Sequence, residues 1–256
     1  MNYTLITGAS SGIGYELAFQ FAKNGHNLIL VARQYQKLLQ LAEILKADYN
    51  VETVLISQDL SHPNAADAIF GLVSEKGIHV NYLVNNAGFY VKGAFVETLW
   101  EKEHELVQLQ CLNHTKITKL LLPQMCKSKK GGILNICSTG SFVPGPNNAI
   151  YCAAKSFVLS FSEAIAEEVA EFGIAVTALC PSGTKTNFQN FDDRKESVLF
   201  PIMKASEVAK IGYNSLMKGK RVVVPGMSNK LQVFLVRFLP RKLVVKLTSI
   251  LVKNGK

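Results

Sequence analysis

Short runs of consecutive apolar residues alternate along the chain with longer stretches of helical period. The runs predict strands near residues 2–7, 27–32, 53–57, 80–84, 132–137, 174–180 and 221–224. Apolar residues in succession are typical of strands that are buried on both faces. The stretches between them follow the spacing of a helix face, as in Leu38, Leu39, Leu41, Ala42 and Leu45. Repeated βα units of this kind predict an α/β fold, a doubly wound parallel sheet covered by helices.

Length and composition favour a single domain with an extension. The chain has 256 residues, 48% of them hydrophobic, which is enough to bury one large core. Met1 leads almost directly into a predicted strand, without the pattern of a secretory signal. No apolar run has the length of a membrane span. We therefore predict a cytoplasmic protein with one main domain at residues 1–225 and an extension at residues 226–256.

The cysteines and histidines lack the paired spacing of a metal site. They are Cys111, Cys126, Cys137, Cys152 and Cys180, together with His26, His62, His79, His104 and His114. We expect reduced, buried thiols and no bound metal.

The net charge of +9 is concentrated at one end of the chain. Eleven of the 28 basic residues and none of the 19 acidic residues follow Glu207, so the preceding part has a net charge of −2. Stacking aromatics do not alternate with the basic residues as they do in nucleic-acid-binding segments. Nucleic-acid binding is therefore not predicted.

A glycine-rich turn follows the first predicted strand. The sequence Thr7-Gly8-Ala9-Ser10-Ser11-Gly12-Ile13-Gly14 opens into a helix. Such a turn lets the backbone approach a pyrophosphate, and the helix N-terminus offers free N–H groups. Ligands of doubly wound sheets bind at the carboxyl ends of the strands, which is where this turn lies.

The end of the second strand reads Leu30-Val31-Ala32-Arg33. Folds that bind NAD usually have an acidic residue there, which holds the ribose 2′-hydroxyl. Arg33 could instead bind a 2′-phosphate, or it could be a solvated arginine at a helix start. The missing acid and the arginine together favour NADP(H) over NAD(H).

Polar residues follow the third and fourth strands as well. Asp59-Leu60 could cap a turn or accept a hydrogen bond from an adenine amino group. Asn85-Asn86-Ala87-Gly88 offers amides that can bond the backbone of neighbouring strands, and its small residues leave room for a flat ligand.

A serine, a tyrosine and a lysine complete the pattern. Ser138 follows the fifth strand, and Tyr151 and Lys155 follow at a spacing that places both on one helix face. Each feature alone is common, but their order along the chain makes coincidence a poor explanation.

With these motifs in place, roughly residues 1–225 resemble the short-chain dehydrogenase/reductase family, which has a Rossmann fold. The sequence is similar to bacterial NADP-dependent carbonyl and 3-oxoacyl reductases. The resemblance implies that Ser138 bonds the substrate oxygen, Tyr151 exchanges the proton and Lys155 holds the nicotinamide ribose. It also implies a dimer or tetramer. The residues expected to bind the cofactor are Gly8, Ser10, Ser11, Gly12, Ile13, Gly14, Arg33, Asp59, Leu60, Asn86, Ala87, Gly88, Tyr151, Lys155, Pro181, Gly183, Thr184 and Thr186.

The expected role of Tyr151 sets a requirement on its pKa. A free tyrosine titrates near ~10, which is too high for easy proton exchange at neutral pH. We expect the ammonium of Lys155 and the positive nicotinamide ring to lower the pKa of Tyr151.

Two departures from the family pattern stand out. Alignment on Pro123 places Gln110 where the family has an asparagine that helps to hold a relay water, with Asn113 a poorer match. The extra methylene predicts a slower or rebuilt proton relay. Ser182 replaces a family glycine, while Thr184 and Thr186 remain available to contact the nicotinamide.

These residues predict an NADPH-dependent oxidoreductase that reduces a ketone or 3-oxoacyl group on an apolar substrate, or runs in reverse. Residues 187–203 fall where the family's mobile substrate lid lies, and Phe188, Phe191, Leu199 and Phe200 suit an apolar ligand. The alternative function is a non-catalytic NADP(H)-binding regulator or scaffold.

The extension combines basic residues with apolar ones at helical spacing. The apolar positions are Leu231, Phe234, Leu235 and Phe238, and then Leu243, Val244, Leu247, Ile250 and Leu251. The pattern fits an amphipathic segment on an anionic membrane surface. It also fits a helix pair that covers the substrate cleft or forms a subunit interface.

Overall fold

The strands and helices alternate as expected in a computed structural model, which describes residues 3–186 and 202–254. The strands are β1 (Tyr3–Thr7), β2 (Asn27–Ala32), β3 (Thr53–Ser57), β4 (Val80–Asn85), β5 (Gly132–Ile136), β6 (Ala175–Leu179), β7 (Thr184–Lys185), β8 (Met203–Lys204) and β9 (Val222–Val223). The α-helices are α1 (Gly12–Lys23), α2 (Tyr35–Tyr49), α3 (Ala65–Glu75), α4 (Trp100–Val107), α5 (His114–Ser128), α6 (Ala149–Glu168), α7 (Ala205–Met217), α8 (Met227–Val236) and α9 (Arg241–Asn254). A π-helical turn (Gln108–Asn113) joins α4 to α5, and 3-10 turns lie at Thr139–Phe142 and Ala170–Phe172.

The main sheet has seven strands in the order β3-β2-β1-β4-β5-β6-β9. Its strand pairs are parallel, and a separate parallel pair, β7 and β8, joins Thr184 to Met203. The strand order reverses between β1 and β4, so their carboxyl ends border the crevice where such sheets bind ligands. The predicted doubly wound fold is confirmed.

Consecutive strand residues point to opposite faces of the sheet, as period-two geometry requires. On β1, Ile6 joins the core shared with α1, α2 and α7, whereas Leu5 joins the core shared with α3, α5 and α6. Both faces are therefore buried, which explains why the strands appear in the sequence as unbroken apolar runs.

Helix α6 positions two of the predicted catalytic residues and is itself a core element. Among the described helices it is the one long and apolar enough to be compared with a membrane span, but it packs against β5 and β6. Most of the predicted substrate lid at residues 187–203 lies outside the described residues; Met203 begins β8.

Candidate active site

The fold brings Ser138, Tyr151 and Lys155 together at the carboxyl end of β5. Ser138 follows that strand in extended conformation, and Tyr151 and Lys155 lie one turn apart near the start of α6. The ammonium Nζ of Lys155 is 5.9 Å from the centre of the Tyr151 ring and donates a 2.8 Å hydrogen bond to the carbonyl of Ile136. Lys155 is buried, so this bond fixes its position between strand and helix.

The Ser138 hydroxyl is held by the backbone turn that follows it. Its Oγ accepts a 3.0 Å hydrogen bond from the N–H of Gly140, and its own N–H donates to Oγ of Ser141 at 3.2 Å. An oxygen that already accepts from the backbone keeps its proton available for donation. Ser138 can therefore donate to Tyr151, with which it shares a hydrogen bond, or to a substrate oxygen.

The expectation that the Lys155 ammonium lowers the Tyr151 pKa is wrong for this structure, whereas the expected effect of a nicotinamide ring stays a prediction. Burial raises the pKa of Tyr151 above its usual value, and the hydrogen bond with Ser138 offsets only part of that rise. Burial also lowers the pKa of Lys155. Desolvation dominates because both groups lie in the interior, where the charged form of each is disfavoured.

Burial disfavours the thiolate form of the nearby cysteines. All five cysteines are free, and burial raises the pKa of Cys111 and of Cys152 to about 11. A thiol with a raised pKa stays protonated and unreactive. The expectation of reduced, buried cysteines is confirmed for Cys111, Cys137, Cys152 and Cys180, whereas Cys126 is half-buried.

The glycine-rich turn is locked to the end of β4. Nδ2 of Asn86 donates to the carbonyl oxygens of Thr7 at 2.9 Å and Gly8 at 3.1 Å. Oγ1 of Thr7 accepts from the N–H groups of Asn86 and Ala87, both at 3.0 Å. A Cβ on Gly14 would lie 2.3 Å from Nδ2 of Asn86, so this position requires glycine.

Helix α1 begins within the glycine-rich turn at the carboxyl end of β1. Its N-cap, Ser11, makes no side-chain capping bond, so the first N–H groups of the helix are available to an anion. Thr186 lies close by, since a Cβ on Gly12 would be 3.1 Å from that threonine. Ser10 precedes α1, Ile13 lies in its first turn, and Gly88 follows Ala87. We call the glycine-rich turn, the start of α1 and the loop after β4 the cofactor cradle. The donors present here fit a dinucleotide pyrophosphate.

Arg33 and Asp59 lie at the carboxyl ends of β2 and β3. Nη1 of Arg33 is 3.7 Å from Oδ2 of Asp59, and the arginine side chain is 74% exposed. Oδ1 of Asp59 accepts from both the N–H and the hydroxyl of Ser61, so the predicted turn-capping role is confirmed. Burial would raise the pKa of Asp59, but the bonds from Ser61 and the charge of Arg33 outweigh it and lower that pKa.

The structure distinguishes Gln110 from Asn113. Nε2 of Gln110 donates a 2.8 Å bond to the carbonyl of Phe89, in the loop just after Gly88, while its Oε1 is buried without a partner in the described structure. Nδ2 of Asn113 instead donates to the carbonyls of Leu60 and His62 at 2.8 and 2.7 Å. Gln110 therefore holds the loop after β4, and Asn113 anchors the loop that carries Asp59.

The remaining predicted residues lie in the loop after β6. The carbonyl of Pro181 accepts from the N–H of Thr139 at 2.9 Å, which ties this loop to the turn after Ser138. Oγ1 of Thr184 bonds the carbonyl of Ser182 at 3.1 Å, and the carbonyl of Gly183 accepts from Met203. This loop therefore lies beside both Ser138 and the glycine-rich turn.

Sequence reasoning missed Tyr90. Its ring contacts that of Tyr151 edge to face, with centroids 5.3 Å apart and planes at 86°. The contact restricts the orientation of the Tyr151 ring. The position of Tyr90 in the sequence, two residues after Gly88, is the feature that could have indicated a place near the site.

A buried polar network also went unpredicted. Nε2 of His114 lies 2.9 Å from Oδ1 of Asn135, which also accepts from Asn85 at 3.1 Å. Nδ2 of Asn135 donates to Ser162 at 2.8 Å. Burial lowers the pKa of His114 to about 3, so the ring is neutral near pH 7. The network joins β4 and β5 to α5 and to α6, the helix that carries Tyr151 and Lys155.

The comparisons with known proteins agree with this geometry. The family model described as short chain dehydrogenase matches residues 2–197. The very-long-chain 3-oxoacyl-CoA reductase of Mus musculus is 36% identical over 183 residues, covering 70% of this chain and 58% of the relative. That of Coccidioides immitis is 35% identical over 178 residues, covering 68% and 51%. The chain thus spans about half the length of the curated relatives it matches.

Among solved structures, a short-chain dehydrogenase from Sphingobium yanoikuyae in complex with NADPH superimposes with a TM-score of 0.81 at 29% identity. The alignment covers 94% of this chain and 96% of that one. The similarity therefore extends over nearly the whole fold.

Proposed function

The chain belongs to the short-chain dehydrogenase family, and from that premise we propose that this oxidoreductase reduces a ketone or 3-oxoacyl group on an apolar substrate, with NADPH as hydride donor. The observation that carries the proposal is the meeting of Ser138, Tyr151 and Lys155 at the carboxyl end of β5, on the same edge of the sheet as the glycine-rich turn after β1. Two hydroxyl donors and one ammonium at a dinucleotide cradle are the groups that carbonyl reduction needs.

Ser138 and Tyr151 act on the substrate oxygen. Both can donate hydrogen bonds to it, which stabilises the negative charge that grows there during reduction. A bound reduced nicotinamide supplies the hydride. Tyr151 then gives its phenolic proton to the oxygen, and its raised pKa keeps that proton in place before the reaction. Lys155 would hold the cofactor ribose and stabilise the phenolate that Tyr151 leaves behind.

The cofactor preference rests on Arg33. Its exposed guanidinium beside Asp59 could form a charge-assisted bond with a 2′-phosphate. Asp59 would accept from the adenine amino group, and Asn86 would keep the cradle in shape through its bonds to β1. The NADPH-bound relative supports this preference.

The names of the relatives support an acyl substrate, since very-long-chain 3-oxoacyl-CoA reductases are matched over most of this chain. In this proposal residues 1–225 form the catalytic domain, with the substrate lid at 187–203, and residues 226–256 form an extension. Cytoplasmic location and a homo-oligomeric state stay predictions.

A spectrophotometric screen tests the function. NADPH oxidation is followed with ketones, ketosteroids and 3-oxoacyl thioesters of increasing chain length, with the Tyr151→Phe variant as the matched control. We expect turnover with at least one apolar carbonyl, and a loss on the order of 10²-fold or more in the variant. NADPH binding by the variant should be retained, since the ring remains.

Two outcomes would contradict the proposal. Near-normal turnover by Tyr151→Phe would remove Tyr151 from the reaction. NADPH binding with no turnover of any carbonyl or alcohol would favour the non-catalytic regulator.

A further inference from the structure

Helix α8 presents its apolar stripe outward. Leu231, Phe234, Leu235 and Phe238 share one side of this helix and its last turn, and each is 51% to 71% exposed. The opposite side holds the helix in place: Val233 joins the small core beside Cys137, and Nδ2 of Asn229 donates to the carbonyl of Pro225 at 2.8 Å. Amphipathic helices of globular proteins usually bury the apolar stripe, so this one lacks its usual cover in the described structure.

Helix α9 repeats the arrangement. Leu243, Leu247 and Ile250 recur at helical spacing and are 42%, 43% and 45% exposed, whereas Val244 is 5% exposed. The rings of Phe234 and Phe238 pack against each other, with centroids 5.1 Å apart. Each of the two helices thus exposes several large apolar side chains, and a concentration of such side chains commonly marks a binding face.

The charged residues on these two helices are all basic. Lys230, Arg237, Arg241, Lys242 and Lys246 are exposed among the apolar positions, and no acidic residue follows Glu207 anywhere in the sequence. A second copy of the chain would bring the same positive charges face to face. An anionic lipid surface complements both the charge and the apolar stripe.

We propose that α8 and α9 form a docking surface for an anionic membrane, with the apolar stripe inserted among the lipids and the basic side chains at the headgroups. Helix α8 packs against the 3-10 turn at Thr139–Phe142, which follows Ser138 directly. Docking therefore brings the catalytic serine close to the bilayer. Docking would also deliver a lipid-dissolved substrate to the active site. The docking itself goes beyond the proposed function, whereas this delivery rests on that function.

The test uses the full chain and phosphatidylcholine vesicles with or without phosphatidylserine. We expect co-sedimentation only with phosphatidylserine present, and release at high salt, because salt screens the attraction. Lys242→Glu combined with Lys246→Glu should weaken binding on the order of tenfold or more. Lys119→Glu combined with Lys127→Glu, on exposed positions of α5, changes net charge equally and should leave binding unchanged.

A fluorescence probe reports insertion directly. The chain has one tryptophan, so Trp100→Phe with Phe234→Trp places a single indole on the stripe. Its emission should shift to the blue on anionic vesicles. Trp100→Phe with Leu72→Trp, at the 42% exposed position on α3, should show no shift.

Three results would overturn the proposal: no binding to anionic vesicles at low salt, binding that ignores the α9 charge reversal, or no shift from the Phe234→Trp probe. A change of oligomeric state on substitution of the stripe, without vesicle binding, would assign the face to a second copy. If the protein binds vesicles but does not turn over a substrate dissolved in them, only the delivery of substrate from the membrane would be contradicted.

Discussion

At the scale of single residues, two polar side chains near the cofactor cradle have distinct roles that can be separated by substitution. Arg33 is exposed and carries a charge next to Asp59. Gln110 is buried, and its amide bonds the loop backbone at Phe89. We expect Arg33 to influence which cofactor binds, and Gln110 to influence how the loop after β4 is held.

Arg33→Ala should weaken NADPH binding on the order of tenfold or more and change NADH binding little. The reason is that only NADPH carries the 2′-phosphate that a guanidinium can bond. Dissociation constants from fluorescence titration check this, with Lys46→Ala on exposed α2 as the control. Equal affinity for both cofactors in the unmutated protein would contradict the assignment.

Gln110→Ala should lower kcat about tenfold while leaving NADPH affinity nearly unchanged. The substitution removes the bond to Phe89, so the loop that carries Tyr90 loses a support and the ring contact with Tyr151 loosens. Gln110→Asn keeps an amide and should retain most of the turnover. Steady-state kinetics of the unmutated protein and the two variants measure kcat and KM. An unchanged kcat in Gln110→Ala would exclude a positioning role for Gln110.

At the scale of elements, the polar network around Asn135 connects strands to helices. Its amide joins His114 of α5, Asn85 of β4 and Ser162 of α6. Strand pairing and apolar packing already hold these elements together. The network adds specificity, because its buried polar groups all have hydrogen-bond partners in only one arrangement of these strands and helices.

Asn135→Leu should lower the free energy of unfolding by about 3 kcal/mol, because the buried ring of His114 would lose its bond to Asn135 and the buried hydroxyl oxygen of Ser162 would lose its donor. Urea unfolding measures the change. Asn64→Leu is the control, since Asn64 is exposed and makes no side-chain capping bond; a change within about 0.5 kcal/mol is expected there. Similar losses of unfolding free energy in both variants would mean that the network contributes nothing specific to stability.

At the scale of the whole molecule, buried histidines make stability depend on pH. Burial lowers the pKa of His114 to about 3 and lowers that of His26 as well. The folded state therefore stays unprotonated at these rings in a range where the unfolded chain binds protons. Stability then rises with pH over that range and falls as the pH drops below about 6.5.

His114 alone should reduce the free energy of unfolding by about 2 kcal/mol between pH 7 and pH 5. His114→Gln keeps an N–H donor for Asn135 and removes the titration, so its stability should depend less on pH. His79→Gln, at an exposed position, should keep the slope of the unmutated protein. Denaturant titrations at both pH values check this, and equal slopes for all three proteins would show that His114 does not control acid stability.

Local patterns in the sequence predicted much of the fold and of the site. The strand positions agree within about two residues, because a strand buried on both faces needs an unbroken apolar run. The glycine turn and the Tyr151–Lys155 pair were also recognisable, since each depends on spacing within one turn or helix. The roles of these residues in catalysis stay predictions.

What the sequence by itself determined is the order of the βα units and the chemistry carried to one edge of the sheet. Only the tertiary structure decided that Gln110 reaches Phe89, that His114 meets Asn135, and that the stripe of α8 faces outward. The physical reason is that these contacts join residues far apart in the chain or depend on which helix face meets a neighbour. A periodic stripe shows that a face is apolar; packing decides whether that face is buried.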